Sequence, residues 1–222
     1  GYNKNYSWKT AFASPENQPT HLHVHKLMRK SWQDMPLPSD IDGDKWNTVA
    51  EHVNDNFFFI DMDRYTLEGV LKKGAELVKR KGIKCLVIDP FNKVRDVNAH
   101  SDDVNRYTMD YLAKIESFCR KYDVLTFIVA HPTKMYKGQD GKIEEPTMYN
   151  IKGGGEWYDA SYHGLLVHRD YEAKTTKVKV LKVKFQNLGE NGAEAHFNWE
   201  HKSGSFIPLI TPTAEEDGLP WE

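Results

Sequence analysis

The 222-residue chain has only two cysteines, Cys85 and Cys119, both in apolar surroundings and without CxxC spacing, so a reduced, cytoplasmic protein is the default expectation. It has no apolar run approaching the roughly 18–20 residues of a membrane span, and no signal peptide opens it. It also lacks a charge excess, since 30 Lys and Arg face 32 Asp and Glu for a net charge of −2. That balance excludes a uniformly basic nucleic-acid coat and leaves a local basic stripe open. Aromatic residues at 12% with so small a net charge exclude a natively disordered chain. There is no internal repeat, and the length favours one large domain over two small ones.

What is present is an alternation of short apolar strands and amphipathic helices. Trp8 to Ser14 alternates as a short strand that Pro15 ends, and Leu22, Leu27 and Met28 predict a helix from Thr20 to about Trp32. Pro36 and Pro38 close that helix ahead of an acidic loop at Asp40, Asp42 and Asp44. Trp46, Val49, Ala50 and Val53 suit a short helix, and Phe57 to Ile60 is a continuous run of buried-strand type. Thr66 caps the next helix, Leu67, Val70, Leu71, Leu77 and Val78 form its inner face, and Gly82 stops it after the basic turn Lys79-Arg80-Lys81. Lys84 to Asp89 is a strand apolar on both faces that ends in a carboxylate. Val104, Tyr107, Tyr111, Leu112, Ile115, Phe118 and Cys119 have helical spacing, and Val124 to Ala130 is another buried-type strand, terminating at His131. This order predicts an α/β fold, a mostly parallel sheet with helices on both faces.

The last third changes character. Tyr162 to His168 reads as a strand, Arg169 to Thr176 as a charged turn, and Lys177 to Phe185 alternates basic and apolar residues. Gly189-Glu190-Asn191-Gly192 makes a tight turn, Ala193 to Trp199 pairs back, and Gly204 turns into Phe206-Ile207. The prediction is an antiparallel hairpin extension on the parallel core, with residues 1–208 as the core and 209–222 as an acidic, flexible tail.

Functional residues in such sheets gather at the C-terminal ends of the strands, where Glu16, Asp89 and His131 all fall. Asp89 has the position of a carboxylate that holds Mg²⁺ beside a phosphate, or of an ordinary polar strand end. His131 suits a hydrogen bond to a terminal phosphate, or to a neighbouring strand end. Glu16 suits orienting a water, or complementing a helix dipole. In Lys152-Gly153-Gly154-Gly155, glycines let backbone amides approach an anion such as a nucleic-acid phosphate, with a flexible linker as the plain alternative. Lys177 and Lys179 share one strand face, and a phase shift around Leu181 turns Lys182 and Lys184 to the other. Such lysines also guard a solvated edge. His21, His23 and His25 alternate, but on a helix their spacing does not build one metal site.

Taken in order, these pieces resemble the RecA-like domain of the DnaB/Twinkle family of hexameric replicative helicases. Phe12-Ala13-Ser14-Pro15-Glu16-Asn17 is similar to the strand ending in the catalytic Glu, Leu86 to Asn92 to the Walker B strand, and Ile128 to Pro132 to the phosphate-sensing strand. Ile151 to Glu156 resembles the loop that faces single-stranded DNA, and Leu181 to Phe185 with Gly189 to Gly192 resembles the hairpin that reaches a neighbouring subunit's nucleotide. The resemblance implies ATP and Mg²⁺ as cofactors, single-stranded DNA as partner and a homo-hexamer in the intact protein. It implies Glu16 polarising water, Asp89 holding Mg²⁺, His131 sensing the γ-phosphate, Lys182 and Lys184 acting in trans, and Lys152 with Gly153, Gly154 and Gly155 gripping DNA.

Two departures qualify the resemblance. No G-x-x-x-x-G-K-[ST] occurs, so the expectation is a fragment that begins after the P-loop helix and does not hydrolyse ATP alone. Loss of that helix would bare part of one sheet face and favour self-association there. Lysine, without a planar fork, stands at 184 where the family has its finger arginine. The alternative is a non-catalytic RecA-fold module that binds nucleic acid or a partner through the glycine loop and basic hairpin; another RecA-like ATPase is a third reading. The tail from Glu215 to Trp221 resembles those by which single-strand binding proteins recruit replication proteins, or is a solubilising end.

Overall fold

The parallel half is organised around a four-stranded sheet in the order β2-β1-β3-β4, all strands parallel. These strands are β1 (Lys9–Ala13), β2 (Phe57–Phe59), β3 (Ile83–Ile88) and β4 (Leu125–Ile128). The structure, a computed structural model, describes residues 8–32, 43–95, 103–135, 145–201 and 204–209. The tail from Ala214 and the loop carboxylates Asp40 and Asp42 lie outside the described residues.

Register explains which face is buried. Ala11 aligns with Leu86 and Thr126, and Ala13 with Ile88 and Ile128. Helices α3 (Leu67–Lys81) and α4 (Val104–Tyr122) pack over this face. The ends of α3 are those the sequence predicts. Thr66 accepts from the Gly69 amide, and Gly82 at φ 71° takes the left-handed cap and donates to the Leu77 and Val78 carbonyls. In α4, Asp103 accepts from the Arg106 amide, and Tyr111, Leu112, Ile115 and Phe118 turn inward.

The opposite face carries Phe12, Val87 and Phe127 in register. At one end it is covered. Helices α1 (Thr20–Trp32) and α2 (Gly43–Asn56) pack together around Met28, Val49 and Val53. His23 of α1 sits edge-on to Phe12 and Phe59, at ring separations of 4.6 and 5.1 Å. Towards β4 the cover stops, leaving Leu125 42%, Phe127 48% and Val129 38% exposed. This corrects the expectation of a strand buried on both faces. β4 is at the sheet edge, and no described helix lies over its second face. Helix α2 is also longer than predicted and takes Asp44 into its first turn.

The last third forms a separate antiparallel sheet, β5-β6-β7-β8, from β5 (His163–Asp170), β6 (Thr175–Val183), β7 (Glu194–Glu200) and β8 (Ser205–Pro208). The charged turn is shorter than predicted because Arg169 pairs with Thr176, and Asp170 with Thr175, inside the ladder. A short helix α5 (Gly154–Ala160) precedes this sheet. The two halves share one core through Met148, Trp157 and Leu181, and Lys30 of α1 donates to Ser205 on β8 at 2.8 Å. Among the described residues no helix is long and apolar enough to cross a membrane.

Candidate nucleotide crevice and glycine turn

Three neighbouring parallel strands deliver Glu16, Asp89 and His131 to one edge of the sheet. Glu16 follows β1, Asp89 follows β3, and His131 follows β4. His131 Nε2 lies 4.0 Å from Glu16 Oε2, an exposed pair at the limit of ion-pair distance that adds little to stability.

Asp89 is held more firmly than its neighbours. Its amide donates to the Ala13 carbonyl at 3.0 Å, which ties the end of β3 to the end of β1. Its Oδ2 accepts from Ser14 Oγ at 3.1 Å and from Asn17 Nδ2 at 2.9 Å. Asn17 Nδ2 also donates to Ser14 Oγ at 2.7 Å, and Lys26 Nζ donates to Asn17 Oδ1 at 3.2 Å. Two donors therefore fix one carboxylate oxygen, Oδ2, and both come from the turn after β1. Sequence reasoning missed Ser14, Asn17 and Lys26. The available signal was that tight turn, in which the Asn17 amide donates to the Ser14 carbonyl. His23 borders this turn, and burial, helped by Lys26, holds its imidazole below the ordinary histidine range against the pull of Asp89.

Among the described residues no group of three or more His, Cys, Asp or Glu forms a metal cage. A single oriented carboxylate fits Mg²⁺ in the way that ion is commonly held, through one or two carboxylates with water and substrate phosphates filling the remaining positions. Cys85 is no such ligand, because burial pushes its thiol up to about 11.

Lys152-Gly153-Gly154-Gly155 is the start of α5 and not a linker. Gly153, at φ 83°, is the residue that caps it. A Cβ at Gly153 would come within 2.4 Å of Thr108 Oγ1, and one at Gly154 within 2.3 Å of the Tyr149 carbonyl oxygen. Both glycines are thus required by packing against α4 and the Met148–Asn150 turn, whereas Gly155 has open space around it. Nothing in this geometry directs all three glycines at a ligand.

The basic strand divides at Leu181. Gly164 pairs with Lys182 but Leu165 pairs with Val180, so Leu181 is a bulge, and the predicted phase shift is real. On one side, Lys177 and Lys179 are neutralised by Glu145 and Glu194. These bonds hold both lysines above and both glutamates below their ordinary ranges. On the other side, Lys182 donates to the Tyr158 and Asp159 carbonyls, and Lys184 lies 4.0 Å from the Tyr162 ring centroid.

The strand order and the crevice at the carboxyl ends of β1, β3 and β4 define an α/β domain of RecA-like fold. Among solved structures with this fold is an isolated ATPase domain, with a TM-score of 0.69 at 12% identity over 92% of this chain and 75% of that one. Another is a DnaB-like replicative helicase, with a TM-score of 0.70 at 13% identity over 92% of this chain and 51% of that one. In sequence the chain is 27% identical to the Twinkle homolog protein, chloroplastic/mitochondrial, of Arabidopsis thaliana, over 98% of its own length. Fold and sequence agree on a RecA-like domain of the DnaB/Twinkle type. The chain spans about a third, 32%, of that curated relative. No family model matches it.

Proposed function

We propose that the chain is part of an ATP-dependent replicative DNA helicase, in which hydrolysis of ATP drives movement along single-stranded DNA. The observation that carries this reading is the convergence of Glu16, Asp89 and His131 on one crevice at the ends of adjacent parallel strands. In this reading Glu16 orients the attacking water and takes its proton, and His131 donates a hydrogen bond to the terminal phosphate. Asp89 offers its Oδ1 to Mg²⁺, which when bound neutralises phosphate charge. Ser14 and Asn17 keep that carboxylate from turning.

The residues that cradle the phosphates lie outside these 222, which contain no P-loop motif, and the bare second face of β4 supports that view. The chain alone therefore does not turn over ATP. In a homo-hexamer, Lys184, with Lys182, supplies positive charge to a neighbouring subunit's nucleotide, without the bidentate fork of an arginine. Lys152 and the turn it opens, Gly153 to Gly155, meet the DNA backbone.

Fluorescence anisotropy with single-stranded DNA across a salt series, comparing the wild type with Lys152→Ala, tests the reading. Affinity that falls with salt and drops severalfold in the variant supports it. Binding that is insensitive to salt, or identical in the two proteins, overturns the DNA assignment.

A further inference from the structure

Helix α5 touches each of the three features singled out above. At its start, Trp157 Nε1 donates to the Lys152 carbonyl at 3.1 Å, which closes the glycine turn. The same indole is buried and stands edge-on to Phe91, at 4.9 Å and 88°. Phe91 lies two residues after Asp89, so the turn and the crevice share one aromatic contact. At the other end of α5, Lys182 Nζ donates to the Tyr158 carbonyl and, at 3.3 Å, to the Asp159 carbonyl. Its ammonium also lies 4.7 Å from the Tyr158 ring centroid, and that ring stacks on Tyr149 at 5.1 Å.

The last carbonyls of a helix have no partner within it, and a cation there also complements the helix dipole. A helix of only 7 residues depends on such end contacts, because it is too short to be stable alone. The bulge at Leu181 is what turns Lys182 away from the glutamates that hold Lys177 and Lys179 and towards α5.

We infer that Lys182 is a positioning residue that ties the hairpin following β6 to the glycine turn through α5. Pulling Lys182 from the helix end loosens α5, and with it the Trp157 contacts to Lys152 and Phe91. On the helicase reading, an anion that draws Lys182 outward would in this way be felt at the DNA-facing turn. The in-chain coupling stands without that reading.

The test is amide and indole hydrogen exchange by NMR on the chain as it is, with Lys182→Met, Lys182→Arg and Lys184→Met. The reporters are the Trp157 indole N–H, the Glu156 amide bonded to the Gly153 carbonyl, and the Ser161 amide bonded to the Trp157 carbonyl. Lys182→Met should speed exchange at these three groups severalfold and leave the buried amides of β3 unchanged, with Lys182→Arg close to wild type and Lys184→Met without effect. Unchanged reporters in Lys182→Met, or equal acceleration in Lys184→Met, would overturn the inference. The readout uses neither DNA nor nucleotide, so failure of DNA binding would defeat the functional reading and leave this coupling in place.

Discussion

The parallel and antiparallel sheets hold their residues in place by different means. In the parallel sheet, Ala11, Ala13, Leu86 and Ile88 are wholly out of solvent beneath α3 and α4. In the antiparallel sheet, Leu165 and Val167 stand 56% and 66% exposed, and much of the order comes from charge and cap contacts such as Glu145 with Lys177 and Lys179. Close packing resists deformation, whereas surface ion pairs are worth little and exchange easily. The crevice, where carboxylates must hold their geometry, is carried by the first sheet. The basic hairpin, whose proposed task is to reach another molecule, is carried by the second.

The contrast is broken most sharply by equal truncations in the two halves. Leu86→Ala should cost about 2–5 kcal/mol, because the side chain is fully buried and its neighbours cannot collapse into the space. Leu165→Ala should stay within about 0.5 kcal/mol of wild type. Urea denaturation of both variants measures the difference, and similar costs would show that the antiparallel sheet is covered in solution.

The glycine turn gives the next largest effect. Gly154→Ala meets the Tyr149 carbonyl and should destabilise by about 1–3 kcal/mol. Gly155→Ala enters open space in the first turn of α5 and should be neutral or stabilising by up to about 1 kcal/mol. Thermal unfolding of the pair separates a packing role from a ligand role. A Gly155→Ala protein that folds normally and binds DNA more weakly than wild type would place the ligand contact at that residue.

A smaller effect concerns pH. The folded state holds His23 below its ordinary value of 6.5, so the unfolded chain takes up the proton first as pH falls. The stability attached to this group is complete above pH 6.5 and is lost as pH drops below that value through the lowered folded value. His23→Phe, which keeps an aromatic ring against Phe12 and Phe59, should flatten the stability profile between about pH 7.5 and 5.5. Thermal unfolding at the two pH values reads the change, and an unaltered slope would remove His23 as its source.

Much of the parallel half is legible in sequence because its signals are local. The apolar run before Asp89, the Thr66 and Gly82 caps and the inner face of α4 each lie within one element. The bulge at Leu181 is legible for the same reason, as a change of parity within one strand. What the sequence hides is contact between distant segments. Asn17 and Ser14 reach Asp89 across 72 and 75 positions, and Lys182 reaches Asp159 across 23. The exposure of β4 is hidden too, since an apolar strand reads alike whether or not a helix covers its second face. The two tight glycines read as openness, because a missing side chain looks the same whether it makes room for a ligand or for Thr108 and Tyr149.

The most direct test of the central claim is an NMR titration of the ¹⁵N-labelled chain with Mg·ATP, repeated on Asp89→Asn. The account predicts weak, saturable shifts at Asn17, Asp89, Phe91 and His131, reduced in the variant, with the amides of β5 to β8 still. Shifts centred on β5 to β8, or none at the strand ends at millimolar nucleotide, would contradict a nucleotide crevice at the ends of β1, β3 and β4.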